Sequence, residues 1–171
     1  MSMDAMNPIA SVATSAVARR GTAGYCPHRP YIGVSVAVFR SGKVLLARRT
    51  RPPFTGGFSL PGGLVEAGET LEAAALRELR EEVQVEARIV AFNRHVEFIA
   101  RDDEGDIRHH FVIASFAGEW IAGEGKSGPE AAEIVWVEPG RVETFDCTPH
   151  IATVVESAAK LTGRSVDADR P

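Results

Sequence analysis

The chain has 171 residues, 44% of them hydrophobic and 25% charged, with a formal net charge of −4. That size and composition build one globular domain with its own core, without need of disulfides or a structural metal. The acidic balance excludes bulk attraction to nucleic acid duplexes or anionic membranes as the leading source of function. Cys26 and Cys147, the only cysteines, form no disulfide framework and no paired metal spacing, so the expected compartment is the reducing cytoplasm. No apolar run reaches the ~18 residues that a membrane span requires. The acidity is local: residues 66–86 hold seven Glu and two Arg, and the remainder is close to neutral.

In chain order, residues 1–29 show no sustained period and read as an N-terminal tail, with a short helix near Ile9–Arg19 left open. The domain is expected over residues 30–162. YIGVSVAVF, from Tyr31 to Phe39, puts Ile32, Val34, Val36 and Val38 on one face of a strand. Ser41-Gly42 turns the chain into a second strand, Lys43–Ala47, as a hairpin. Residues 50–63, TRPPFTGGFSLPGG, form a shaped loop without regular structure. Thr70 caps a helix from Leu71 to Val83. Strands follow at Ile89–Ala100 and Ile107–Ala117, joined by the polar turn DDEGD, and another lies at Glu133–Val137. Pro149 opens a last helix to Leu161, and residues 163–171 form a C-terminal tail. Strands and helices in this order predict a mixed sheet with helices on its faces.

The central helix carries the chemistry. At 100° per residue, Leu71, Ala75, Leu76, Leu79 and Val83 make an apolar stripe. Glu78, Glu81 and Glu82 share an arc of about 100° beside it, at spacings that make them neighbours. Like charges so placed repel, and a divalent cation removes the conflict. Oxygen-only anionic ligands suit Mg²⁺ or Mn²⁺ rather than Zn²⁺, and Mg²⁺ is usually shared with substrate phosphates. A solvated charged face is the alternative, but the helix has no Lys to intersperse its acids.

The segment GLVEAGETLEAAALRELREEVQV resembles the Nudix box, G-x5-E-x7-R-E-U-x-E-E-x-G-U, where U is bulky and aliphatic. Gly63, Glu69, Arg77, Glu78, Leu79, Glu81, Glu82 and Val85 fit its fixed positions. GGFSLPGG upstream resembles the family's G-x-W-x-L-P-G-G, with Phe58 in place of Trp. Gln84 stands where the family has glycine, just past the helix, and a positive φ there would cost Gln about 1 kcal/mol.

The resemblance implies a Nudix-type α/β/α sandwich, MutT-like or ADP-ribose-pyrophosphatase-like. It implies Mg²⁺-dependent hydrolysis of the phosphoanhydride of a nucleoside diphosphate linked to another group. Either a nucleoside triphosphate or an NDP-sugar such as ADP-ribose would serve as substrate. By position, Glu78, Glu81 and Glu82 would hold the metal, helped by a backbone carbonyl at Gly62 or Gly63. Glu69 would pair with Arg77 to hold the carboxylates. The base that activates water is left open between Glu78 and an acid before the last strand, Glu130 or Glu133. Arg48, Arg49 or Arg51 is a candidate for phosphate contact, as guanidinium suits bidentate recognition. Phe54 or Phe58 would stack on a base or pack in the core. His95, His109 and His110 lack a Cys partner, and His109 and His110 point to opposite faces of one strand. The alternative function is a catalytically weak nucleotide-binding or regulatory module. A homodimer is left open.

Overall fold

The computed structural model describes residues 29–163. The Ile9–Arg19 helix, Cys26 and the two expected tails beyond these limits lie outside the described residues. Seven strands form one sheet: β1 (Tyr31–Arg40), β2 (Lys43–Arg49), β3 (Phe58–Ser59), β4 (Gly62–Leu64), β5 (Glu86–Arg101), β6 (Ile107–Ala122) and β7 (Ala131–Val137). Helices α1 (Leu71–Val83) and α2 (Ile151–Leu161) flank it, with a short 3-10 helix at Pro139–Thr144. The strand order is β3-β2-β1-β6-β5, with β4 joined to β1 and β7 to β2. β1 runs parallel to β6, and the other pairings are antiparallel. No helix among the described residues is long and apolar enough to cross a membrane.

Strand alternation divides the buried residues between two cores. Val34, Val36 and Val38 of β1 and Leu45 and Ala47 of β2 pack under α1, with Ala114 and Phe116 of β6. Ala37 and Phe39 of β1 and Val44 and Leu46 of β2 face α2, with Ala117. A sheet covered on both faces needs apolar residues at both parities, which is why these strands read as nearly continuous hydrophobic runs.

The last helix begins at Ile151 with His150 at its N-cap, so Pro149 precedes it rather than opening its first turn, and the structure departs from the sequence expectations in three further places. β5 and β6 are longer than expected, because each continues as the other's hairpin partner from Glu86↔Ala122 to Arg101↔Ile107. The 50–63 loop contains β3 and β4, whose order comes from pairing with the distant β2 and β1 rather than from local pattern. The buried stripe of α1 is Ala74, Ala75, Leu79 and Val83, and Leu71 is 40% exposed. The helix is thus rotated from the expected orientation. Glu78 and Glu82 lie inside the sheet-facing arc, between Ala74 and Leu79, rather than beside it.

Candidate active site

Two glycines let the carboxylates of α1 approach the backbone. At Gly62 a Cβ would overlap the carbonyl of Val34 and come 2.7 Å from Ser35 Cα. At Gly63 it would lie 2.5 Å from both carboxylate oxygens of Glu78. With these side chains absent, β4 closes on β1 and Glu78 sits against it. The Gly62 amide donates to Glu82 Oε2 at 3.0 Å. The helix begins where Thr70 Oγ1 accepts from the Ala73 amide at 3.2 Å, satisfying one of the free amides of the first turn. It ends at Gln84, which is left-handed at φ 56° and donates its amide to the Arg80 carbonyl.

Arg77 organises the acids. It grips Glu69 in a two-point pair, Nε to Oε1 at 2.7 Å and Nη2 to Oε2 at 2.8 Å. Its Nη1 donates to Glu78 Oε1 at 2.9 Å and Glu81 Oε2 at 3.2 Å, and its Nη2 donates to the Leu64 carbonyl at 3.0 Å. The planar guanidinium fixes several partners at once, which a flexible ammonium would not do. The Arg77 bond, with the Glu66 amide, holds the Glu69 carboxyl down at about 2.

Glu78 and Glu82 move the other way. Burial pushes Glu82 up to about 7, with Glu78 and Glu130 adding repulsion against the Gly62 amide and the Arg49 charge. Burial also raises Glu78, against Arg77 and with Glu81 and Glu130. Perturbation by burial together with close like charges marks functional carboxylates more often than ordinary surface acids. Two surface hollows lie elsewhere. One is lined by Phe39, Arg40 and Trp120, the other by Arg94, His95 and His150, and neither includes a carboxylate of α1.

The other sequence candidates separate. Glu130, in the segment before β7, acts electrostatically on both Glu78 and Glu82. Arg51 pairs with it at 2.7 Å. Glu133 instead binds Arg48 Nε at 2.8 Å, and Arg48 also donates to the Gly56 carbonyl and covers the Phe58 ring at 4.2 Å. Phe58 is 3% exposed and packs edge-on against Phe145 in the core. Phe54 is 38% exposed and meets Phe98 edge-to-face at 4.8 Å, and Phe98 stacks on Phe111. Arg49 is the residue that sequence reasoning undervalued. Its charge reaches Glu82, and its Nε donates to the Pro53 carbonyl at 3.0 Å. Alternation could have found it: it shares the parity of Leu45 and Ala47, which face α1.

The donor set fits a hard divalent cation in its chemistry. It offers oxygen only, with the carboxylates of Glu78 and Glu82 drawn against the backbone of the glycine turn in partial burial. Among the described residues, however, no group of three or more His, Cys, Asp or Glu side chains is assembled as a metal site. Glu78 and Glu81 meet on Arg77 Nη1, while Glu82 is held apart from them. Glu81 is 64% exposed and turned to Arg77, whereas Glu82 is held by Gly62. His95, His109 and His110 join no such group either.

Comparison with known proteins agrees with this arrangement. A family model described as the NUDIX domain matches residues 29–157. A putative 8-oxo-dGTP diphosphatase of Mycobacterium tuberculosis is 31% identical over 141 residues, 81% of this chain and 96% of that protein. An ADP-ribose pyrophosphatase of Methanocaldococcus jannaschii is 35% identical over 104 residues, 61% of this chain but only 59% of the relative. The crystal structure of a MutT NUDIX hydrolase from Burkholderia pseudomallei superposes with a TM-score of 0.64 at 25% identity, covering 75% of this chain and 98% of that one.

Proposed function

The chain belongs to the NUDIX family of phosphoanhydride hydrolases, and from that premise we propose that it is a Mg²⁺-dependent enzyme cleaving nucleoside triphosphates to the monophosphate and pyrophosphate. The observation that carries the reading is the pair Glu78 and Glu82. Burying two carboxylates in the sheet-facing arc of a helix is unfavourable unless a cation and a polyanion complete the site. The triphosphate is preferred to an NDP-sugar because the match to the 8-oxo-dGTP diphosphatase spans 96% of that relative, against 59% of the ADP-ribose pyrophosphatase.

Glu78, Glu82 and Glu81, with the carbonyl of Gly62 or Gly63, would hold Mg²⁺, and Mn²⁺ would be accepted by the same oxygens. When bound, the cation neutralises the diphosphate and lowers the pKa of a coordinated water. Arg77, fixed by Glu69, keeps Glu78 in place against Gly63. Arg49 and Arg51, which bind the Pro53 carbonyl and Glu130 in the structure, would contact phosphate, and bidentate guanidinium contacts would orient the chain of phosphates for in-line attack. Glu130 would take the proton from the attacking water, as the acid of the β6–β7 connection whose charge acts on Glu78 and Glu82. The partly exposed rings of Phe54, Phe98 and Phe111 offer the base an aromatic shelf. Phe54 directly follows Pro53, whose carbonyl Arg49 holds, so shelf and phosphate site are tied by one loop.

The test is product identity. Purified protein with Mg²⁺ is offered nucleoside triphosphates, ADP-ribose, other NDP-sugars and dinucleoside polyphosphates, and products are resolved by chromatography. Monophosphate plus pyrophosphate is the expected outcome. AMP plus ribose 5-phosphate as the faster reaction would move the substrate to the NDP-sugars. No cleavage of any compound with Mg²⁺ or Mn²⁺ would overturn the enzyme reading.

A further inference from the structure

β5 ends the sheet, and among the described residues no strand pairs with its outer side. A free strand edge presents unpaired amides and carbonyls, which serve as a template for another strand. The first half of β5 is guarded against this. Its ladder to β6 shifts register at Glu86/Ala87, Ile89/Ala91 and Phe92/Arg94, and such bulges bend an edge away from a partner. From Arg94 to Ala100 the ladder is regular, and the stretch holds no proline or glycine. A hollow of about 290 Å³ between this stretch and the start of α2, lined in part by Arg94, Val96, His150 and Thr153, leaves the edge open to approach.

Pairing with β6 sorts these side chains by face. Phe92, His95, Glu97 and Ile99 stand opposite Phe116, Ala114, Val112 and His110, on the α1 side of the sheet. Arg94, Val96 and Phe98 stand opposite Ser115, Ile113 and Phe111, on the α2 side. Phe92 is 54% exposed and Ile99 46%, although both are apolar. Arg94, His95 and Glu97 are exposed too, and among the described residues their side chains make no hydrogen bond or ion pair. One face of the edge thus reads apolar, His, Glu, apolar.

That order is complementary to its own reverse. A two-fold axis normal to the sheet keeps each face on its own side, so an antiparallel copy of β5 must pair about a residue. Pairing about Glu97 would oppose two carboxylates, and pairing about His95 would oppose two imidazoles. Pairing about Val96 sets His95 opposite the partner's Glu97, and Glu97 opposite the partner's His95. The same register sets Arg94 beside the partner's Phe98, a cation next to an aromatic ring. It also brings Ile99 to the bulge that carries the partner's Phe92 on the same face. We propose that the chain forms a homodimer by antiparallel pairing of β5 with β5 of a second copy, about a two-fold axis at Val96. The two sheets become one, and the exposed Phe92 and Ile99 of both copies leave solvent. An unrelated extended segment would satisfy the backbone of this edge but not its charges.

The experiment is sedimentation velocity of the full chain over a range of concentrations, with hydrogen exchange on the same samples. The expected result is a species of twice the chain mass that dissociates on dilution, with slow exchange at alternate amides between Arg94 and Ala100 in the dimer alone. His95→Glu opposes carboxylates twice by symmetry and should raise the dimer Kd about tenfold or more. His95→Glu combined with Glu97→Lys exchanges the charges, rebuilds both pairs and should restore the dimer. Both positions are exposed, and far-UV circular dichroism reads their folding separately. A monomer at every concentration would overturn the proposal. If that monomer exchanged slowly from Arg94 to Ala100, another segment of the same chain would be the occupant of the edge. A dimer indifferent to His95→Glu, or one that the charge exchange fails to recover, would also overturn it by placing the interface elsewhere.

Discussion

The two helices cover the same sheet from opposite sides, yet they do so differently. α2 buries Val154, Val155, Ala158 and Ala159 and places no ionisable side chain in its packed face. α1 buries Ala74, Ala75, Leu79 and Val83 and sets Glu78 and Glu82 among them. The small alanines of α1 bring its axis close to β4, and the two glycines there receive the carboxylates. One helix is therefore purely a stabilising element. The other surrenders stability by burying charge, and that deficit is what a cation and a polyphosphate can reverse.

The contrast breaks most sharply at Glu82. Glu82→Gln should lower kcat by about 10³-fold or more, roughly 4 kcal/mol of barrier, while the melting temperature holds or rises because a buried like charge is gone. Val155→Ala on α2 should do the reverse, costing about 1–3 kcal/mol of stability through lost packing with kcat largely kept. Steady-state rates and thermal melts on the two variants check both halves. A Glu82→Gln protein that loses activity only because it unfolds would erase the distinction between the helices.

The pH dependence of stability sharpens the same point in metal-free protein. Glu82 has its folded pKa raised to about 7, above the usual carboxylate range. Between about pH 4.5 and 7 the unfolded chain releases this proton and the folded one keeps it, so this group makes stability fall as pH rises and level off above 7. Glu69 acts oppositely: with its carboxyl held at about 2, its contribution is present above about pH 4.5 and is lost as pH falls towards 2. Urea melts from pH 4.5 to 8 should therefore show a downward slope that Glu82→Gln flattens and saturating Mg²⁺ reverses. The same slope in wild type and Glu82→Gln would assign it to another group.

A smaller effect is expected at the shelf. Phe54→Ala should raise KM about tenfold, the value of one base–aromatic contact of roughly 1.4 kcal/mol. kcat should hold, and stability should move by less than about 0.5 kcal/mol because the ring is exposed on a loop. An unchanged KM would detach the aromatic row from the substrate.

How far the sequence shows these features depends on whether the signal is local. The spacing of Gly63, Glu69, Arg77, Glu78, Glu81 and Glu82 is local, and so is the period-two run of β1, so both are legible. The rotation of α1 is not. Hydrophobic periodicity counts Leu71 as strongly core-forming and Ala74 as weakly so, and it always assigns Glu to the outside. It is blind to a helix that buries carboxylates on purpose. Arg48 and Arg49 at the end of β2 are separable only by parity, which joins Arg49 to Ala47 under α1 and sends Arg48 to Phe58. The stacking of Arg40 on Trp120 and Trp136 draws on three strands distant in sequence, and no window along the chain contains it. Likewise β3 and β4, of two and three residues, owe their existence to partners in β2 and β1.

The smallest expected effect lies at the end of α1, where the two regions of that helix meet. Gln84 occupies the left-handed position at φ 56°, as the sequence suggested for the residue after the last helical turn. A side chain there costs about 1 kcal/mol relative to glycine in the folded state, offset in part by the greater freedom glycine has when unfolded. Gln84→Gly should then stabilise by up to about 0.5–1 kcal/mol, a shift of a few degrees in melting temperature for a domain of this size. The turn is already closed by the Gln84 amide on Arg80 and by Gly123 packed on its backbone. Activity should therefore not change. A rise in kcat in Gln84→Gly would mean that the strain reaches Glu82 two residues away, and that the stabilising and functional parts of α1 are not separable after all.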